Sequence, residues 1–104
     1  MSVPHPILER KMLEQKIEKQ LFEQVRKRGG KAYKLTSPGT AGMPDRMVCL
    51  PGGHLAFIEL KAPGQKPRPL QQARHKQLQQ LGQRVYTIDG AHQIEKVLNE
   101  IQTT

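Results

Sequence analysis

The sequence predicts an α/β protein with a mixed sheet flanked by helices, in the order α-β-β-β-α-β-α. Three observations predict this class. A long segment without Gly or Pro (residues 7–28) comes first, short alternating apolar segments follow, and helical and strand patterns alternate in the second half. The length of 104 residues favours a single domain over residues 1–104, with a core at about 8–102 and no room for a separate specificity domain.

The first helix is predicted over residues 7–28, which are rich in Glu, Gln, Lys, Leu and Arg and precede two glycines. A strand over 31–36 follows, with Tyr33 and Leu35 on one face, and the Ser-, Pro- and Gly-rich segment 37–42 predicts a loop. All four aromatic side chains are expected in the core, which argues against base stacking on exposed rings: Phe22, Tyr33, Phe57 and Tyr86.

Two further strands, over 46–50 and 55–61, are separated by a Pro-Gly-Gly segment short enough for a hairpin turn. A Pro- and Gly-rich loop follows, and then a helix over about 70–81, a strand over 84–88 and a last helix over about 91–101. The last helix has one apolar stripe, formed by Ile94, Val97, Leu98 and Ile101.

The charge of the chain favours a polyanionic partner. Seventeen Lys and Arg residues stand against nine Asp and Glu residues, which gives a formal net charge of +8 and indicates nucleic acid first and an anionic membrane surface second. The sequence has no apolar run close to the ~20 residues of a spanning helix, so no membrane partner is expected. Cys49 is the only cysteine, which excludes a disulfide framework and fits a reducing cytosol.

Two basic clusters are candidates for contact with DNA phosphates, although such runs also occur on ordinary solvated surfaces. The first comprises Arg26, Lys27, Arg28, Lys31 and Lys34, and the second comprises Lys66, Arg68, Arg74 and Lys76. Arg46 is predicted either to contact DNA or to form an ion pair at a strand edge. The four histidines have no ligand spacing, which argues against a zinc site: His5, His54, His75 and His92.

Asp45, Glu59 and Lys61 form the strongest candidate site. Alternation along the third strand places Glu59 and Lys61 on the same face, and counting back from the hairpin turn places Asp45 beside them. Two carboxylates and a carbonyl suffice to hold Mg²⁺, and a nearby Lys can orient a water or hold a phosphate. The alternative is a surface Asp next to an ordinary cross-strand Glu–Lys pair.

Glu14 and Glu18 of the first helix add acids to this picture. At about 100° per residue, both fall inside the apolar arc that should pack on the sheet. That arc is formed by Leu13, Ile17, Leu21, Phe22 and Val25. A buried Glu needs a partner, for which a metal or Lys61 is suitable, unless the side chain reaches solvent at the helix edge.

These pieces together resemble the virus-type replication-repair nuclease (VRR-NUC) domain, a branch of the PD-(D/E)XK nuclease superfamily. The resemblance lies in the helix acid and three motifs: Gly-Met-Pro-Asp-Arg at 42–46, Ile-Glu-Leu-Lys at 58–61 and Pro-Leu-Gln at 69–71. It runs from about residue 14 to residue 89 and implies a restriction-endonuclease-like core.

The resemblance also implies roles for individual residues. Asp45 and Glu59 would ligate Mg²⁺ or Mn²⁺ with the Leu60 carbonyl as third ligand, Lys61 would assist the attacking water, and Gln71 would position water or phosphate. The helix acid stays open. The spacing usual in the family favours Glu14, whereas counting back from the helix-ending glycine, as in archaeal Holliday-junction resolvases, favours Glu18.

The function implied is a metal-dependent DNA endonuclease that hydrolyses phosphodiester bonds. The resemblance favours structure-selective action on branched DNA such as Holliday junctions, a homodimer, and the cytoplasm of a bacterial or phage-infected cell. Two alternatives remain. One is a non-catalytic basic nucleic-acid-binding module with structural carboxylates, and the other is a restriction-like nuclease that reads a short sequence.

Overall fold

The computed structural model describes residues 5–103, and its elements follow the predicted order. A turn of 3-10 helix at Ala91–Gln93 precedes the last helix. None of the helices in the described range combines the length and apolar character that a membrane crossing requires. The elements are α1 (Pro6–Lys27), β1 (Lys31–Lys34), β2 (Arg46–Leu50), β3 (His54–Leu60), α2 (Pro69–Gln80), β4 (Val85–Ile88) and α3 (Ile94–Thr103).

The strands form one mixed sheet in the order β1-β2-β3-β4. The β1–β2 and β2–β3 pairs are antiparallel, and β4 pairs with β3 in parallel after the α2 crossover. The predicted hairpin joins β2 to β3 through Gly52 and Gly53, whose φ angles of +89° and +80° favour glycine. The turn sets the register, with Arg46 opposite Ile58.

The apolar core lies where α1 and α3 pack against the sheet and against each other. Ala56, Ile58 and Leu60 of β3 are all buried in this core. Because side chains alternate along a strand, Glu59 points to the opposite face, where it meets His75 of α2. The Glu59 face of β3 also contains the half-buried Phe57, so Glu59 is a buried acid on a face that is otherwise partly apolar.

Strand β1 differs from the prediction. It ends at Lys34, two residues early, and Ala32 is its buried residue. Tyr33 is 41% exposed, with the Lys31 ammonium 5.0 Å from its ring centroid, so the prediction that Tyr33 lies in the core is wrong. The reason is that β1 is an edge strand, and only the Ala32 face meets α1.

Helix α1 extends beyond the core. Ile17, Leu21 and Val25 are buried as predicted, whereas Leu13 is exposed, so the predicted apolar arc is wrong at that position. The 22 residues of α1 span about 33 Å, and only the second half lies over the sheet.

Candidate functional site

Asp45 is positioned by the loop that precedes β2. Gly42 has φ +83°, and a Cβ at this position would lie 2.7 Å from the Leu70 carbonyl oxygen at the start of α2. Pro44 is fully buried, so the loop is fixed immediately before Asp45. The Asp45 carboxylate then accepts a hydrogen bond from the Leu60 backbone N–H at 3.2 Å, which ties the end of β3 to the start of β2.

Glu59 is a buried residue, and burial disfavours the charged form of its carboxyl group. It is 2% exposed, its Oε2 lies 3.8 Å from Lys61 Nζ, and its Oε1 is buried without a hydrogen-bond partner. Burial and then the neighbouring Asp45 carboxylate raise the pKa of Glu59 to about 8, while Lys61 acts in the opposite direction. Lys61 therefore only partly offsets the effects of burial and of Asp45 on this acid.

Lys61 directly follows β3 and is held by the β4 strand. Its backbone N–H donates to the Ile88 carbonyl at 3.0 Å, and its side chain is largely buried. The backbone of Leu60 lies between Glu59 and Lys61, where the resemblance requires a carbonyl ligand. The structure thus brings Asp45, Glu59, Leu60 and Lys61 together at one end of the β2–β3 hairpin.

The two helix acids have different surroundings. Glu18 accepts from Arg46 Nε at 2.7 Å and from Arg46 Nη2, and lies 3.5 Å from Lys34 Nζ. Burial and then the Asp45 carboxylate raise the pKa of Glu14, while Arg46 and Lys61 partly offset this effect. Glu18 is therefore neutralised by Arg46, whereas Glu14 shares the electrostatic environment of Asp45 and Lys61.

His75 is a member of this cluster that the sequence analysis missed. Its Nε2 lies 3.5 Å from Glu59 Oε1, and the residue is 7% exposed. Burial and then Lys61 lower the pKa of His75, while Asp45 acts in the opposite direction, so the imidazole faces the site. The sequence contains one indication of such a residue. The α2 segment has no apolar stripe, so the face that packs inward had to contain polar side chains.

Gln71 lies on the same face of α2 and is buried. Its Oε1 accepts a hydrogen bond from the Arg68 backbone N–H at 2.9 Å, so the side chain caps the start of the helix. The amide oxygen is committed to this cap. A role for Gln71 in positioning water or phosphate stays a prediction.

The predicted DNA-contacting residues fall into two groups. Arg28 donates to Gln102, Arg74 donates to the Ala41 carbonyl and Gln77, and Arg46 is held by Glu18 and Asp45, so these three have structural contacts. Arg46 was predicted to contact DNA or to form an ion pair, and the structure contains its ion pairs with Glu18 and Asp45. The other predicted residues are exposed, although Lys31 and Lys34 also contact Tyr33 and Glu18, respectively. These exposed residues are Arg26, Lys27, Lys31, Lys34, Lys66, Arg68 and Lys76.

The donor set fits a divalent metal ion. Within residues 5–103, no three His, Cys, Asp or Glu side chains are grouped to hold a metal by themselves. A cation here would use the carboxylates of Asp45 and Glu59 together with a backbone carbonyl and water, which are the hard oxygen ligands that Mg²⁺ prefers. A cation would offset the cost of burying the charged Glu59 carboxyl group, which is 2% exposed.

This protein has a mixed four-stranded sheet with two acids and a lysine at the end of its central hairpin. That combination is the arrangement expected of a PD-(D/E)XK nuclease. No family model matches the chain. A solved structure described as "VRR_NUC domain" superimposes with a TM-score of 0.77 and 31% identity, over 83% of this chain and 94% of that one.

A protein named "Putative nuclease p44", from Acyrthosiphon pisum secondary endosymbiont phage 1, is 52% identical over 77 residues. The matched region is 74% of this chain and 83% of that protein. The chain therefore belongs to the VRR-NUC family, and the predicted family and fold are confirmed.

Proposed function

We propose that this protein is a Mg²⁺- or Mn²⁺-dependent DNA endonuclease that cuts branched DNA such as Holliday junctions. The observation that carries the proposal is the buried Glu59 carboxyl group, whose pKa is raised, beside Asp45 and Lys61. A buried acid with a raised pKa destabilises a fold in its charged form, and such groups cluster at functional sites. A cation would offset that cost.

Each residue of the cluster has a chemical task in this proposal. Asp45, Glu59 and the Leu60 carbonyl would hold the cation, which lowers the pKa of a bound water and neutralises charge on the phosphate. Lys61 would donate hydrogen bonds to the attacking water or to a phosphate oxygen. Glu14 would accept a hydrogen bond from a water at the same end of the site.

Charge and position support DNA as the substrate. Lys66 and Arg68 follow Lys61 in the loop before α2, and both are exposed, so phosphates on either side of the cut could contact them. The net charge of +8 has the sign that phosphate binding needs. The relative from the phage is itself named a nuclease, which supports action on nucleic acid in the cytoplasm of a bacterial or phage-infected cell.

Branched DNA and a homodimer are the finer parts of the proposal. A small basic surface reads the shape and phosphate positions of DNA more readily than its base sequence. Resolving a junction needs two cuts, and two copies of the chain would supply two sites. The exposed apolar side chains in the first half of α1 offer a surface for pairing.

A gel assay tests the proposal. Labelled junction, flap, nicked and duplex DNAs are incubated with Mg²⁺, Mn²⁺ or EDTA, and we expect cleavage of branched substrates only with metal. Asp45→Asn and Glu59→Gln should each lower the rate by at least about 100-fold while DNA binding persists. Glu9→Gln, an exposed acid on the same chain, is the control. Uncut DNA in every wild-type reaction would refute the proposal.

The net charge favours a second candidate, a binding module without catalysis. On that hypothesis, neutralising Asp45 or Glu59 tightens DNA binding because it removes repulsion from phosphates. Calorimetric titration with Mg²⁺ separates the two, since only the nuclease needs a metal bound through these acids. Discrete bands from mixed plasmid DNA would instead favour a sequence-reading, restriction-like nuclease.

A further inference from the structure

The inner face of α2 is polar where a helix normally presents apolar side chains. Its two buried residues are Gln71 and His75, which are four positions apart and so lie on one face. Leu70, in contrast, is more than half exposed. Polar side chains are buried to this degree where they have partners. Gln71 has its partner in the helix cap, and His75 points toward Glu59.

The contact between His75 and Glu59 joins two atoms that otherwise have no partner. His75 Nε2 and Glu59 Oε1 are 3.5 Å apart, and both are buried without any other hydrogen bond. This distance is at the outer limit of a hydrogen bond, and such contacts in ligand-free sites tighten when the ligand binds. The other carboxyl oxygen, Oε2, lies nearer Lys61. The two oxygens of Glu59 therefore have different neighbours.

We infer that His75 is a positioning residue, whose Nε2–H donates to Glu59 Oε1 and fixes the orientation of that carboxyl group toward Asp45 and Lys61. The inference rests on the proposed function, because the orientation matters for holding a cation. Ligating carboxylates are commonly held by such hydrogen bonds, and losing one costs about 10- to 100-fold in metal affinity or activity. His75 acts through Glu59 and not on the DNA.

Direct ligation of the metal by His75 is the competing role. Within the described part of the chain, Asp45, Glu59 and His75 are not grouped as a ligand set of three side chains. The nitrogen instead faces the carboxyl oxygen that lies away from Lys61. The geometry therefore favours donation to Glu59 over ligation.

Two substitutions test the role of the N–H group. His75→Gln retains an N–H near the position of Nε2, whereas His75→Leu fills the space without a donor. We expect His75→Leu to lower Mg²⁺ affinity, measured by calorimetry, and the cleavage rate by about 10- to 100-fold, and His75→Gln to restore most of both. Circular dichroism verifies the fold of each variant. Equal values for His75→Leu and wild type, or no recovery with Gln, would overturn the inference.

Nitrogen-15 NMR of the wild-type imidazole gives an answer that does not depend on cleavage. In the metal-free protein we expect the proton on Nε2. The nitrogen-15 chemical shift of Nε2 should change in the Glu59→Gln variant. At saturating Mg²⁺ the proton should stay on Nε2, whereas a direct ligand would lose it and overturn the inference. A metal-free imidazole without a proton on Nε2 would also overturn it. Failure of the proposed function looks different, because it leaves the wild type without Mg²⁺ binding or cleavage.

Discussion

Glu59 combines burial with a carboxyl group that must ionise to bind a cation. Burial and Asp45 raise its pKa from an ordinary value of 4.5 to about 8, so the folded protein holds the proton more tightly than the unfolded chain does. A metal has to displace that proton, and metal affinity should therefore increase as the pH rises toward 8. The charged form of Glu59 therefore suits metal binding but lowers the stability of the metal-free fold.

Replacing Glu59 with Gln should stabilise the metal-free protein at high pH. Because the folded-state pKa is raised, the contribution of Glu59 to stability is fully present below about pH 4.5 and is lost as the pH rises through about 8. We expect the Tm advantage of Glu59→Gln, measured by calorimetry in EDTA, to grow by about 5 °C or more between pH 4.5 and pH 8.5. Glu9→Gln should follow the wild type. If the Tm difference between Glu59→Gln and wild type did not change with pH, the pKa of Glu59 would not be raised in the folded protein.

Substitutions of Glu14 and Glu18 should have different effects, the first mainly on cleavage and the second mainly on stability. We expect Glu14→Gln to lower the cleavage rate at least about tenfold with little change in Tm, because it removes a carboxyl group from the site. Glu18→Gln should lower the free energy of unfolding by about 2 kcal/mol, because Arg46 loses one of its two charged partners and keeps only Asp45. Chemical denaturation and the gel assay measure the two effects. The reverse pattern would make Glu18 the acid of the site.

At the scale of elements, the hairpin could be predicted because its cause is local. A Pro-Gly-Gly turn fixes the register of β2 on β3, and the register places the end of β3, and thus Glu59, beside Asp45. The order of helices and strands was likewise predictable, since each has its own apolar periodicity. Three members of the candidate site therefore followed from patterns within 17 residues of sequence, from Asp45 to Lys61.

Other features depend on tertiary packing that no local pattern contains. Glu14 and Glu18 differ by only about 40° around α1, so the rotation of the helix on the sheet decides which one meets Asp45. His75 contacts Glu59 across two separate elements, and a lone His has no spacing to reveal this. Tyr33 lies in a four-residue strand, too short for alternation to show which face meets the core.

The loop before β2 gives a prediction at this scale. Gly42→Ala should lower the free energy of unfolding by about 2 kcal/mol or more, because φ is +83° and the added Cβ would press on the Leu70 carbonyl. Cleavage should fall as well, since this loop positions Asp45. Gly39→Ala is the matched control, because a Cβ there meets nothing within 4 Å. Equal unfolding curves for the two variants would contradict this account of the motif.

At the scale of the whole molecule, α1 gives the protein its length. The longest dimension is 50 Å, against 22 Å for the shortest. Ile7, Leu8 and Met12 in the first half of the helix are each more than half exposed. Leu8 and Met12 are four positions apart and so lie on one face, and an exposed apolar face is typical of an interaction surface. The acid Glu14 follows Met12 by two residues, so a partner bound to this segment would be close to the site.

The oligomeric state is therefore the prediction that belongs to the whole molecule. Light scattering should give twice the 11.8 kDa mass of the chain, because pairing of the first halves of α1 removes these side chains from water. Leu8→Glu combined with Met12→Glu should give a monomer that cuts one strand of a junction and seldom both. Leu81→Glu, which charges an even more exposed apolar residue after α2, should leave the dimer intact. A wild-type mass of 11.8 kDa, with and without junction DNA, would refute the homodimer.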